Sequence, residues 1–172
     1  MTFKLLDFNL NNELKANAKK NERLRYHLNL HGSYNEPVQR IIISLMRGTY
    51  IPPHYHKFKY QWEYFNVISG NICVIIFDQN GTVIEKFKLG QNTGAYGVEF
   101  SSNTIHTILC ESEHSIILEL KEGPFIPSKA KVIPSWAPDE QYCTYSRAEI
   151  VSVLEKIKPG QNLPEALLEQ EL

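Results

Sequence analysis

The chain has 172 residues, and its 18 Lys and Arg against 19 Asp and Glu leave a net charge of −1. That length predicts one domain with short extensions, burying about 70% of its unfolded surface and needing no disulfide or metal staple. Balanced, scattered charge excludes nucleic-acid binding of the electrostatic kind and recruitment to an anionic membrane surface.

The longest strongly apolar run, Ile72 to Phe77, is far short of a membrane span of about 20 residues. The opening MTFKLLDFNLNNELK has neither an apolar h-region nor a small-residue cleavage site, so no secretory signal is expected. Cys73, Cys110 and Cys143 form no CxxC pair, and apolar surroundings suit reduced core thiols in a cytoplasmic protein.

Residues 1–24 are polar and helix-permissive, and are expected as an N-terminal helical segment. From Arg25 the pattern turns to period two. Arg25, His27, Asn29 and His31 fall on one face, with Tyr26, Leu28 and Leu30 on the other. Further strands are expected near Val38–Leu45, Tyr64–Ser69, Asn71–Phe77, Thr82–Leu89, Ala95–Phe100, Ile105–Cys110 and Ser115–Leu120. Asn80-Gly81 between two of them is a strong hairpin signal. Short strands with no helix between them predict an antiparallel sandwich or barrel over residues 25–122.

After Glu122 the chain carries Pro124, Pro127, Pro134 and Pro138, and residues 123–145 are expected to wrap the barrel surface. Ser146-Arg147-Ala148-Glu149 is a capping box, and Ile150, Val153, Leu154 and Ile157 follow at helical spacing. Pro159-Gly160 stops that helix, and a second is expected near Pro164. Residues 146–172 therefore read as a small helical appendix.

His54 and His56, one residue apart, would point to one face of a strand about 6.6 Å apart. Glu63 follows, and His106 lies on a later strand. Two imidazoles and a carboxylate from one hairpin, with a third imidazole, suit a divalent ion such as Fe, Mn, Zn or Ni, with positions left for water or substrate. The alternatives stay open: His54 and His56 as general bases in a metal-free lumen, His106 as a satisfied core histidine, Glu63 as a rim carboxylate paired with Lys57 or Lys59. The polar face of Arg25, His27, Asn29 and His31 is either a cavity mouth holding a hydroxylated or anionic ligand, with Arg25 as fork donor, or the solvent face of an edge strand or of an arm exchanged with a second subunit. Gln39 and Arg40 carry the same two readings. Tyr50, with other aromatics nearby, could supply a phenol to the site. His114, between charged neighbours, is expected to be solvated.

The pattern Gly48-x5-His54-x-His56 … Glu63-x6-Gly70 resembles the first cupin motif, and His106 resembles the metal ligand of the second. The stretches Arg25–His31, Pro37–Arg40, Gly48–His56, Glu119–Phe125 and Lys131–Glu140 resemble the WbuC family of cupin-fold metalloproteins, in register over roughly residues 16–140. The resemblance implies an all-β cupin jelly-roll barrel with one divalent metal on His54, His56, Glu63 and His106. It also implies an association with surface-polysaccharide synthesis, and a homodimer. The chain departs from the pattern in four places, one of them His27, which stands where the family's strand is expected to carry Asn. Six residues separate His56 from Glu63 where three or four are usual, which predicts a bulge over Lys57–Trp62. Ser102-Asn103 replaces a Pro-x-Gly turn, and no Asn follows His106.

The functional expectation is a metalloenzyme acting on a small carbohydrate-like substrate, as isomerase, epimerase or oxygenase, with His54, His56 and Tyr50 as catalytic candidates. One alternative is a metal-free isomerase or epimerase acting on a sugar nucleotide. Another is a non-enzymatic cupin that binds a small ligand.

Overall fold

The computed structural model describes residues 3–169. Helix α1 (Phe8–Lys20) starts at Asp7, whose carboxylate accepts the Leu10 N–H at 2.9 Å, and ends on Lys19 and Lys20, favourably placed at the negative end of the helix. Eight strands follow: β1 (Arg25–Asn29), β2 (Val38–Met46), β3 (Glu63–Ser69), β4 (Asn71–Phe77), β5 (Val83–Gly90), β6 (Gly97–Phe100), β7 (Ile105–Cys110) and β8 (His114–Glu122). The chain closes with α2 (Arg147–Lys156) and α3 (Leu163–Leu168).

The strands form two antiparallel sheets rather than one continuous barrel wall. The larger runs β1-β2-β8-β3-β6 and the smaller β5-β4-β7. Their facing sides share a core of Ile41, Ile43, Leu45, Phe65 and Ile117 from the large sheet with Ile72, Val74, Leu89 and Ile108 from the small one. An isolated bridge, His54 to His106, ties the β2–β3 connection to the small sheet. The expected antiparallel sandwich or barrel is thus a two-sheet sandwich, and the described strands do not close into a barrel.

Both outer faces are covered as well. Leu14 of α1 packs on Ile42 and Ile116 behind the large sheet. Ile150, Val153 and Leu154 of α2, with Leu163 and Leu167, pack on Cys73, Ile75, Phe77, Ile105 and Leu109 behind the small one. Each such side chain, fully buried, contributes about 2 kcal/mol. The C-terminal helices, expected as an appendix, therefore complete half of the core. Their start is secured by the capping box, in which Ser146 Oγ accepts the Glu149 N–H and Glu149 Oε2 accepts the Ser146 N–H at 2.7 Å. At the other end of α2, Lys86 Nζ donates to the carbonyls of Leu154, Glu155 and Ile157 at 2.8–3.0 Å.

The Asn80-Gly81 turn joins β4 to β5, with Gly81 at φ +88°, a conformation side chains resist. Asp78 Oδ1 accepts the N–H groups of Asn80 and Thr82, each at 2.8 Å. Cys73 and Cys110 are buried and Cys143 half-buried, all as free thiols. Among the described residues no helix is long and apolar enough to cross a membrane.

Candidate metal centre and cavity

Cross-strand register decides what the large sheet presents to the interior. Gln39, Lys121 and Glu63 stand side by side on β2, β8 and β3; the next inward row is Ile41, Glu119 and Phe65, and the next Ile43, Ile117 and Val67. Polarity therefore rises in steps from the core toward one end of the sandwich. There a cavity of about 580 Å³ opens, with the polar face of β1, the histidines and the proline-rich wrap as its walls.

Three imidazoles meet Glu63 at the floor. His54, Glu63 and His106 each offer a ligand atom within 4.8 Å of the others, so the three could hold a metal ion. Glu63 Oε2 lies 3.1 Å from His106 Nε2 and 3.3 Å from His56 Nε2, and the carboxylate is only 2% exposed. The six residues before Glu63 are taken up by a turn in which the Gln61 N–H reaches Phe58 O. That turn delivers Glu63 at the first position of β3, inside rather than at the rim.

The orientation of the rings is set from outside. His54 Nδ1 donates to Pro52 O at 2.9 Å, His56 Nδ1 to Ala130 O at 2.5 Å, and His106 Nδ1 to Thr104 O at 3.0 Å. A backbone carbonyl can only accept, so each Nδ1 carries a proton, and a ring that is neutral keeps its lone pair on Nε2. All three tethers are of the kind that fixes metal-ligating histidines. His106 Nε2 is buried without a hydrogen-bond partner, and its ring is stacked on Phe100 with centroids 4.1 Å apart.

The electrostatics match. Burial, then the neighbouring His106, holds His54 well below the usual imidazole range, so it is neutral. Burial also works against ionising Glu63, but His106, His56 and Lys121 outweigh it and hold the carboxyl well below its ordinary value. His56 is the opposite case: burial would lower it, yet the contact with Glu63 raises it. Glu63 Oε1 faces Lys121 Nζ at 3.9 Å, and Lys121 is paired closely with the buried Glu119.

The remaining candidates divide. His27, Asn29, His31 and Gln39 line the cavity. Burial, with Arg25 and Lys121 nearby, pushes His27 down to about 4, leaving a neutral ring. His31 and Gln39 are buried and anchored: His31 Nδ1 lies 3.1 Å from the Arg40 N–H, and Gln39 Nε2 donates to Glu36 O at 2.8 Å. Arg25 lines the cavity too, but its guanidinium is already committed, forked onto Glu140 at 2.7 and 2.8 Å and donating to Tyr50 O at 2.8 Å. Arg40 instead pairs with Glu36 at 2.5 Å on the exposed side. Tyr50 is in the core behind the small sheet, its hydroxyl donating to Pro138 O at 2.8 Å, away from the cavity lining. His114 is half-buried, with Nε2 2.8 Å from Ser44 Oγ, rather than freely solvated.

Sequence reasoning missed Glu119, Lys121 and Lys131 as cavity residues. The first two carried a usable signal: charges at alternate positions of an apolar strand, on the same face as Ile117. The carbonyl of Ala130 that orients His56 carried none.

A family model described as a domain of unknown function, DUF6016, matches residues 6–89. No curated protein matches the chain. Among solved structures, CapF bound to 3-isopropenyl-tropolone aligns at 15% identity over 62% of this chain and 30% of its own, with a TM-score of 0.53. Protein SO0799 of Shewanella oneidensis aligns at 11% identity over 64% of this chain and 73% of its own, with a TM-score of 0.50. A cupin-superfamily protein of Desulfitobacterium hafniense aligns at 15% identity over 57% and 76%, with a TM-score of 0.43. The chain spans less than a third of the CapF and oxalate decarboxylase chains it matches, 30% and 28% of their lengths.

At such identities the likeness is one of fold. The chain shares its fold with CapF and SO0799, and its His/Glu cluster could hold a metal.

Proposed function

We propose that the chain is a metal-binding cupin protein of the WbuC type, acting on a small carbohydrate-like substrate. One divalent ion would be held by His54, His56, Glu63 and His106. The observation that carries this is the set of three tethered imidazoles. With the rings neutral, the Nε2 lone pairs of His56 and His106 stand 3.3 and 3.1 Å from one ionised carboxylate, acceptors that repel one another until a proton or a metal ion lies among them. The orphaned Nε2 of His106 is the clearest case. Borderline nitrogen with hard oxygen suits Fe, Mn, Zn or Ni.

When bound, such an ion supplies Lewis acidity toward a carbonyl or hydroxyl oxygen, or redox chemistry where it is iron. The chain's own part is to bind and enclose the substrate. Ile43, Phe65 and Ile108 keep the floor dry, His27 and Asn29 offer hydrogen bonds from β1, and Tyr34 and Phe125, with ring centroids 5.0 Å apart, give a surface on which a sugar ring could stack. The volume is that of an ordinary small-ligand site. The reaction proposed is isomerisation, epimerisation or oxygenation, and the link to surface-polysaccharide synthesis rests on the WbuC resemblance alone. A homodimer is proposed on the same basis, with β1 at the edge of the large sheet as the strand placed to pair.

Elemental mass spectrometry of untagged protein purified without chelator tests the site. Near one Fe, Mn, Zn or Ni per chain is expected, with at least a tenfold weaker affinity in Glu63→Gln. No metal, even after anaerobic reconstitution, would refute it.

A further inference from the structure

The cavity holds more positive charge than its own acids answer. Arg23, Arg25, Lys121 and Lys131 all line it. Lys121 is accounted for by Glu119 and Glu63. Arg23 and Arg25 share the single carboxylate of Glu140. Lys131 makes no ion pair or side-chain hydrogen bond among the described residues, and its side chain is exposed in the cavity wall. Away from the histidine cluster, three cations therefore answer to one carboxylate. Partial burial, then Arg25 and Arg23, pull Lys131 below the usual lysine range, as an uncompensated group of like charges must.

Placement makes this charge useful. Lys131 follows Ala130, whose carbonyl holds His56, so the ammonium is carried by the segment that borders the metal cluster. The β1 strand brings His27 and Asn29 into the same cavity, both exposed to it and without side-chain hydrogen bonds among the described residues. The end-on fork of Arg25, Nη1 and Nη2, is taken by Glu140 and Tyr50 O. A positive, partly dry cleft concentrates anions.

We propose that the cavity takes a small organic anion, its carboxylate or phosphate group held by Lys131 with His27 and Asn29, and its polar remainder turned toward His54, Glu63 and His106. This rests on the proposed small-ligand reading of the same cavity and adds the charge of the ligand to it.

The test is calorimetric titration with D-gluconate, glucose 6-phosphate and uncharged glucose, on protein whose metal content is measured before and after. At least one of the anions should bind tenfold or more tighter than glucose, and which of the two wins separates carboxylate from phosphate. Its affinity should fall as NaCl is raised, a readout that needs no variant. Lys131→Met should weaken it about tenfold, the value of one charge contact, with metal content and Tm unchanged, and Lys131→Arg should restore it. Equal binding of glucose, an unchanged affinity in Lys131→Met, salt-independent binding, or no anion binding tighter than about 10 mM would each overturn the proposal. Protein that holds no metal but still prefers an anion refutes the metal centre and upholds this inference. Metal-replete protein indifferent to ligand charge does the reverse.

Discussion

Replacing Glu140 by glutamine removes one negative charge and leaves two guanidiniums behind. Arg25 is the costly one: its side chain is 3% exposed, and both of its Nη groups rest on the Glu140 carboxylate. Arg23 also uses that carboxylate, through Nη2 at 2.6 Å and Nε at 3.0 Å. A glutamine amide in its place could accept from one arginine through its oxygen, but would turn N–H groups toward the other. Burial raises the Glu140 carboxyl, yet Arg25 and Arg23 overcome this and pull it from 4.5 down to about 2. At about 1.4 kcal/mol for each pH unit, that separation is worth about 3 kcal/mol. Burial lowers Arg25 at the same time, which offsets part of the gain, so the expected loss in Glu140→Gln is about 2–3 kcal/mol. For a chain of this size it corresponds to a Tm lower by about 5–10 °C. Because the folded pKa is depressed, this stability is fully present above the unfolded value of 4.5 and is lost as pH falls toward about 2. Urea melts of the two proteins at neutral pH should therefore differ by the full amount and converge as pH falls from about 5 to about 2. Adding Arg25→Met to Glu140→Gln should recover part of the loss, since no buried charge is then stranded. A single variant within about 0.5 kcal/mol of the parent at neutral pH would show that water or another group neutralises Arg25, and the buried-clamp reasoning would fail.

Three further outcomes are expected. Leu154→Ala, fully buried behind the small sheet, should cost about 2–5 kcal/mol in a denaturant melt; a loss under about 1 kcal/mol would mean that α2 is not part of the core. Lys86→Met removes a charged cap from three carbonyls at the end of α2 and should cost about 2 kcal/mol, with faster amide exchange confined to that helix end. Chelation of the metal-loaded protein should lower its stability by an amount that grows with the metal concentration removed, about 3 kcal/mol when that was a hundred times Kd, and should cost Glu63→Gln no more than about 1.4 kcal/mol under the same treatment.

Most strands were legible because one side of the large sheet meets a core and the other a solvent or helix boundary. The turn at Asn80-Gly81 and the capping box at Ser146 are local signals, and local signals survive in sequence. The small sheet was harder to interpret. β4 is apolar at nearly every position because the large sheet covers it inside and α2 covers it outside, which erases period two and hides which face is which. For the same reason the C-terminal helices looked detachable: nothing near Leu154 in sequence announces the strand beneath it. Arg25 shows the limit most plainly. On a polar strand face it looks like a ligand fork, and only the return of the chain more than a hundred residues later supplies Glu140.

The centre itself follows the same division between local and distant. His54, His56 and Glu63 lie within ten residues, so their association could be read from spacing, whereas Lys121 and Glu119 reach Glu63 only through the β3–β8 register. Yet those distant neighbours determine what the centre can accept. Glu119 and Glu63 share the one ammonium of Lys121, which leaves the cluster one negative charge in excess among three imidazoles. Neutral rings cannot cancel it, and burial makes an unmatched charge expensive. A single proton on His56 or His106 brings the cluster to zero, while a divalent ion carries it to +1 and satisfies every Nε2 at once. The proton serves one lone pair and leaves the others facing the carboxylate. Three rings whose Nδ1 atoms are each held by a separate backbone carbonyl would give the proposed ion its nitrogen ligands.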